Sequence, residues 1–139
     1  MARILAIDYG AKRVGIAVTD PMQLIATALT TVETKSLYDF LKTYLQKEDV
    51  EKFVVGYPYN HGHRLNDVIK LIDQFLVQLQ KQFPEKSIEK VDERFSSRMA
   101  SRMIAMSGLK KSEREKKGNI DKVSATIILQ TYLEMKSSL

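Results

Sequence analysis

Near the N-terminus an almost continuous apolar run, Arg3-Ile4-Leu5-Ala6-Ile7-Asp8, ends on a carboxylate. A short run without polar alternation is expected of a central strand buried on both faces. The rest of the chain must then supply covering layers on two sides. Gly10-Ala11-Lys12 reads as a turn, and Val14 to Thr19 alternates, with Val14, Ile16 and Val18 on one face. Asp20-Pro21 is a turn signal, because proline pre-sets the dihedral of the second turn position. Leu24 to Val32 gives the third strand of an antiparallel meander.

The period then changes. Leu37, Phe40, Leu41, Tyr44 and Leu45 fall at helical spacing, and Lys52 to Gly56 reads as a short strand. Leu65, Val68, Ile69, Ile72, Phe75, Leu76 and Leu79 mark a long amphipathic helix. Ser87 to Glu93 follows as a strand and Ser97 to Ser107 as a helix ending at Gly108. After a charged loop comes a last helix, from about Ile120 to Met135, with Asp121 in its first turn. The order βββαβαβα plus a last helix predicts an α/β fold. Its core is a mixed five-stranded sheet, an antiparallel meander followed by parallel strands, flanked by helices on both faces. One domain is expected over residues 1–139.

Composition narrows the chemistry. With 44% hydrophobic residues the chain can build a core without staples, and the absence of cysteine excludes thiolate nucleophiles, cysteine zinc sites and disulfides. His61 and His63 are the only histidines, so a histidine-based triad would have to use one of them; two residues apart around a glycine, they are poor evidence for a metal pair. Met99, Met103 and Met106 stand at helical spacing and read as core packing. No apolar run approaches the roughly 20 residues of a membrane span, and the N-terminus lacks the shape of a signal peptide, so a soluble, cytoplasmic protein without a membrane partner is expected.

The formal charge of +5 is unevenly spread. Residues 94–122 carry nine basic and three acidic side chains, +6, while the remainder is −1. A localised basic segment suits a polyanion; the competing reading is a solvated charged face. Phe95 is its only aromatic residue, which favours contact with a phosphate backbone over base stacking. Lys116 and Lys117 lie in the basic loop and are candidate phosphate contacts.

Three acids acquire meaning from the topology. Asp8 ends the first strand, although Asp-Tyr-Gly is also a good turn starter. Glu93 lies in Asp92-Glu93-Arg94, where a surface ion pair worth about 0–1 kcal/mol is the plain alternative. Asp121 begins the last helix, where the helix dipole alone favours an acid. In a mixed sheet, however, the first strand is central and the carboxyl ends of the later strands open on the same rim. A helix packed across that face can bring its start there too. Crowded carboxylates need a cation, and an all-oxygen donor set suits Mg²⁺ or Mn²⁺. Such ions support phosphodiester hydrolysis. Asp92 and Glu93 alternate across their strand, so only one can face the metal, and the choice between them stays open.

Four segments carry a family likeness: Ile7-Asp8-Tyr9-Gly10-Ala11-Lys12-Arg13-Val14-Gly15; Val54-Val55-Gly56-Tyr57-Pro58; Asp92-Glu93-Arg94-Phe95-Ser96-Ser97 with Ala100; and Lys117-Gly118-Asn119-Ile120-Asp121-Lys122 running into Ile127-Ile128-Leu129-Gln130. In that order and spacing the chain resembles the YqgF/RuvX family of ribonuclease-H-like nucleases, relatives of Holliday-junction resolvases implicated in maturing the 5′ end of pre-16S rRNA. The resemblance implies a metal-dependent nuclease with Asp8, Glu93 and Asp121 as catalytic acids and metal ligands. It also implies Lys12, Arg13, Arg94 and Ser96 as site-lining or substrate-binding positions. Its partners would be pre-rRNA, branched DNA and ribosomal particles, with a monomer favoured. The chain departs from the family pattern at Pro58-Tyr59-Asn60-His61-Gly62, one residue shorter and without the usual aspartate, and at Ser96, where threonine is usual. Two other functions compete. One is a non-catalytic RNA-binding factor in ribosome assembly. The other takes Asp8 through Gly15 as the phosphate loop of an actin-like ATPase, although such proteins close two domains over nucleotide.

Overall fold

The structure, a computed structural model, describes the backbone of residues 2–57, 66–92 and 117–137, and the side chains in those ranges except at 66, 117–122 and 137. Five strands and three helices fall within it: β1 (Arg3–Tyr9), β2 (Arg13–Thr19), β3 (Ala26–Glu33), α1 (Leu37–Lys47), β4 (Val50–Tyr57), α2 (Asn66–Gln82), β5 (Ser87–Asp92) and α3 (Lys117–Ser137). A short 3-10 turn, Thr34–Ser36, joins β3 to α1. The helix expected over Ser97 to Ser107 lies outside the described residues.

The strand order is β3-β2-β1-β4-β5. β1 is central, antiparallel to β2 and parallel to β4; β3 continues the meander and β5 adds in parallel. The mixed sheet expected from the sequence is thus present, and Ile4, Leu5, Ala6 and Ile7 are all completely buried. Parity decides which layer each residue meets. Leu5 and Ile7 pack with Leu41, Phe75 and Leu79 under α1 and α2, whereas Ile4 and Ala6 pack with Ala125, Ile128, Leu129 and Tyr132 of α3. Odd positions of β1 therefore face α1 and α2, and even positions face α3.

Several boundaries differ from the sequence expectation, among them the start of β4, at Val50 rather than Lys52. β3 starts at Ala26 rather than Leu24. The Asp20 carboxylate accepts the backbone N–H groups of Met22, Leu24 and Ile25 at 3.1, 2.8 and 2.8 Å, and Gln23 takes a positive φ of 61°. These bonds hold Leu24 and Ile25 in the turn, where both are exposed. At the other end of the chain, α3 starts at Lys117, not near Ile120, and carries no acid in its first turn. Asp121 is therefore a second-turn residue, which corrects its expected position. The helix dipole, strongest over the first turn, is a weaker explanation of Asp121 than the sequence suggested.

The far end of α3 is anchored. The Tyr132 hydroxyl donates to Glu89 Oε2 at 2.5 Å and accepts from Lys52 Nζ at 2.9 Å, while Lys52 also bonds Glu89 at 3.1 Å. Lys136 Nζ donates to Gln23 Oε1 at 2.8 Å. Lys52 and Glu89 lie early in β4 and β5, so the C-terminal turns of α3 sit at the amino-terminal ends of those strands. Its N-terminal turns run toward the opposite rim. No helix among the described residues is long and apolar enough to cross a membrane.

Candidate active site

Asp8 is half-buried near the carboxyl end of β1. Its even position puts it on the face that α3 covers. Gly15 lies opposite it in β2. On the other side Val55 pairs with Ile7, so Gly56 follows at the level of Asp8. Neither lateral neighbour has a side chain.

Helix geometry gives the register of Asp121, the second expected acid. Asp121 precedes Tyr132 by 11 residues, close to three turns at about 3.6 residues per turn. It therefore occupies the same stripe as Ala125, Ile128 and Tyr132, the residues of α3 that meet the sheet. Eleven residues of helix rise about 16 Å. From Lys52, which bonds Tyr132, four residues of strand to Gly56 rise about 13 Å. On these approximate rises position 121 of α3 falls toward the rim that carries Asp8.

The third expected acid, Glu93, lies outside the described residues, as do Arg94, Ser96, Lys116, His61 and His63; for Lys117, as for Asp121, only the backbone is described. Asp92 is placed. It pairs with Tyr57, follows the α3-facing Val91, and shares the α1 and α2 face with Tyr57 and Ile88. Asp92 and Asp8 are on opposite faces. Among the described residues no group of three or more His, Cys, Asp or Glu is placed to hold a metal ion, and Asp8 is the one member of the expected trio whose side chain falls in that set.

On the far face the rim is stiff. The Tyr9 ring stacks on Phe75 with centroids 4.0 Å apart and planes within 10°. Burial pushes the Tyr9 phenol above its ordinary value, so it stays neutral. The Tyr57 hydroxyl donates to Asp73 at 2.9 Å, and Lys90 lies 4.6 Å from the centre of the Tyr57 ring. These contacts fix the strand ends on either side of the Asp8 level.

Lys12 and Arg13 lie on the turn from β1 to β2, Lys12 exposed and Arg13 half-buried. The turn is tight: a Cβ on Gly10 would fall 2.6 Å from the Arg13 carbonyl oxygen. Thr34 braces it from the next connection, its hydroxyl donating to the Gly10 carbonyl at 2.7 Å and its N–H to the Lys12 carbonyl at 3.0 Å. The result is an open hollow of about 490 Å³ lined by Ala11, Lys12, Arg13, Glu33, Thr34 and Lys35. Nothing in the segment Glu33-Thr34-Lys35 marks it as part of a site in the sequence; only the pairing of β2 with β3 brings it there.

The family model described as RuvX, Holliday junction resolvase, matches residues 2–135. A candidate pre-16S rRNA nuclease of Bacteroides thetaiotaomicron is 51% identical over 136 residues, covering 98% of this chain and 99% of its own. Proteins given the same name in Amoebophilus asiaticus and Porphyromonas gingivalis are each 50% identical, over 133 and 134 residues. The first pair covers 96% of this chain and 94% of the relative, the second 96% and 97%.

Proposed function

The chain belongs to the RuvX family of Holliday junction resolvases, whose fold is ribonuclease-H-like, and we propose that it is a Mg²⁺- or Mn²⁺-dependent nuclease processing the 5′ end of pre-16S rRNA. One observation carries the reading. Asp8, at the carboxyl rim of the central strand, faces α3, the helix on whose sheet-facing stripe Asp121 falls by helical spacing.

Asp8, Glu93 and Asp121 are the proposed catalytic acids and metal ligands. Asp92 lies on the wrong face to share an ion with Asp8, which supports Glu93 as the strand's contribution. In a chain without cysteine, an aspartate–glutamate–aspartate set offers hard oxygen donors, and these fit Mg²⁺ or Mn²⁺. When bound, such an ion supplies an activated water and charge stabilisation at the leaving oxygen. The chain's own residues do the rest. Lys12 and Arg13 hold the phosphate backbone from the turn between β1 and β2, and Arg94, Ser96, Lys116 and Lys117 hold it from the basic segment. This enzyme would work as a cytoplasmic monomer, a single domain over residues 1–139, on RNA within pre-ribosomal particles.

The test is Asp8→Asn. Cleavage of a pre-16S 5′ leader fragment should fall by at least 100-fold, on the order of the loss of a well-placed charge-stabilising group, while RNA affinity stays within about twofold. Mg²⁺ should raise the melting temperature of the wild type more than that of the variant. Equal turnover by both proteins would overturn the assignment. A four-way DNA junction run in parallel distinguishes RNA processing from resolution of branched DNA.

A further inference from the structure

We propose that Lys35 completes a phosphate-backbone subsite with Lys12 and Arg13, and that Glu33 is the carboxylate a phosphate displaces there. The inference rests on the nuclease reading only for the identity of the polyanion. Its basis is the hollow beside the β1–β2 turn.

The lining is built rather than incidental. Arg13 pairs with Glu33 across β2 and β3, and both Thr34 hydrogen bonds fasten the following residues to the turn. Lys35 is thereby held beside Lys12 and Arg13 although more than 20 residues of chain separate them. Its ammonium lies 3.2 Å from Glu33 Oε2, with side chains 81% and 66% exposed. An ion pair so wet contributes little to folding. Among the described residues three cations and one carboxylate line the hollow, a net charge of +2 suited to a phosphodiester. Lys35 can exchange Glu33 for a phosphate oxygen without leaving solvent, and the displaced carboxylate is then the like charge that limits affinity. Among the described residues no aromatic side chain lines the hollow, which suits backbone contact over base contact.

Distance separates this subsite from the reacting bond. Asp8 pairs with Gly15, and Arg13 is two residues further along β2, about 7 Å away. β3 stands two strands from β1, about 10 Å across the sheet. The hollow therefore takes a phosphate flanking the scissile one.

The experiment is fluorescence anisotropy with a labelled single-stranded RNA 20-mer in EDTA, titrated between 50 and 300 mM KCl. Lys35→Ala should raise Kd about three- to tenfold at 50 mM salt and flatten the plot of log Kd against log salt by about 0.7, one single-strand phosphate contact. Glu33→Gln should act in the opposite direction, lowering Kd several-fold at similar slope. Lys35→Arg should restore the slope. Lys81→Ala, the same charge change on the last turn of α2, is the control and should leave the slope alone. If Lys35→Ala and Lys81→Ala behave alike, or Glu33→Gln weakens binding, the subsite is refuted. If the Lys35 effect appears while Asp8→Asn still cleaves, the subsite stands and the catalytic assignment falls; the reverse pattern removes the subsite alone.

Discussion

Tyr132→Phe removes one oxygen from the contact that anchors α3, and its effect can be worked out. The ring stays, with 9% of Tyr132 exposed, and so does the 3.1 Å pair between Lys52 and Glu89. What disappears is a hydroxyl that donates to one charged group and accepts from another. A hydrogen bond to a charged partner stabilises by about 1.5–3 kcal/mol when buried. The Glu89 side chain is 45% exposed, so water recovers much of that loss, and about 1 kcal/mol remains. For a domain of this size the melting temperature should fall by roughly 3–5 °C at pH 7. The pH dependence gives the sharper test. The Tyr132 hydroxyl is the largest influence holding Glu89 below its ordinary value of 4.5, ahead of the Lys52 hydrogen bond and charge. A depressed folded-state pKa contributes stability that is complete above the unfolded value and disappears as the pH falls through the folded one. Wild type and variant should therefore differ fully above pH 4.5 and converge below it. Differential scanning calorimetry from pH 7.5 to 3.5 measures this; an absent gap, or one independent of pH, would refute the assignment.

Two further outcomes follow from the turns. Gly10→Ala drives a Cβ against the Arg13 carbonyl oxygen at 2.6 Å, a backbone atom with nowhere to go, and should destabilise by about 1–3 kcal/mol in urea titration; an unchanged midpoint would mean that the turn yields freely. Asp20→Asn should lower the melting temperature at neutral pH, because an amide oxygen replaces a carboxylate that accepts three N–H groups. The Ile25 N–H is the first cause of the lowered Asp20 pKa, so this contribution is present above the ordinary value of 3.8 and is lost on further acidification. Melting curves that stay equally far apart at pH 7 and pH 3 would contradict it.

The central strand was legible because its pattern is local: an apolar run can be buried on both faces only in the middle of a layered fold. The sheet order follows from where helical spacing interrupts strand spacing. The start of β3 was not legible, since three bonds to Asp20 keep Leu24 and Ile25, good strand residues, in the turn. The start of α3 was not legible either: helical spacing alone suggested a beginning near Ile120, whereas the helix already runs from Lys117. Asp92 could be assigned to a face only once Val91 and Ile88 were seen in different clusters. Asp8 stands out because a carboxylate closing a buried strand is costly without a partner. Lys35 does not, because what gives it meaning is a hydrogen bond from Thr34 to Gly10, 24 residues away.

The position of β1 between β2 and β4 has a dynamic consequence. Amides flanked by ladders on both sides exchange with deuterium through the largest openings a domain undergoes, whereas edge strands and helix ends open at far smaller cost. Asp8 is carried by the segment expected to be last to lose protection, while α3 borders the sheet from one side only. A perturbation that shifts α3 relative to Asp8 therefore costs less than one that displaces β1 from the sheet.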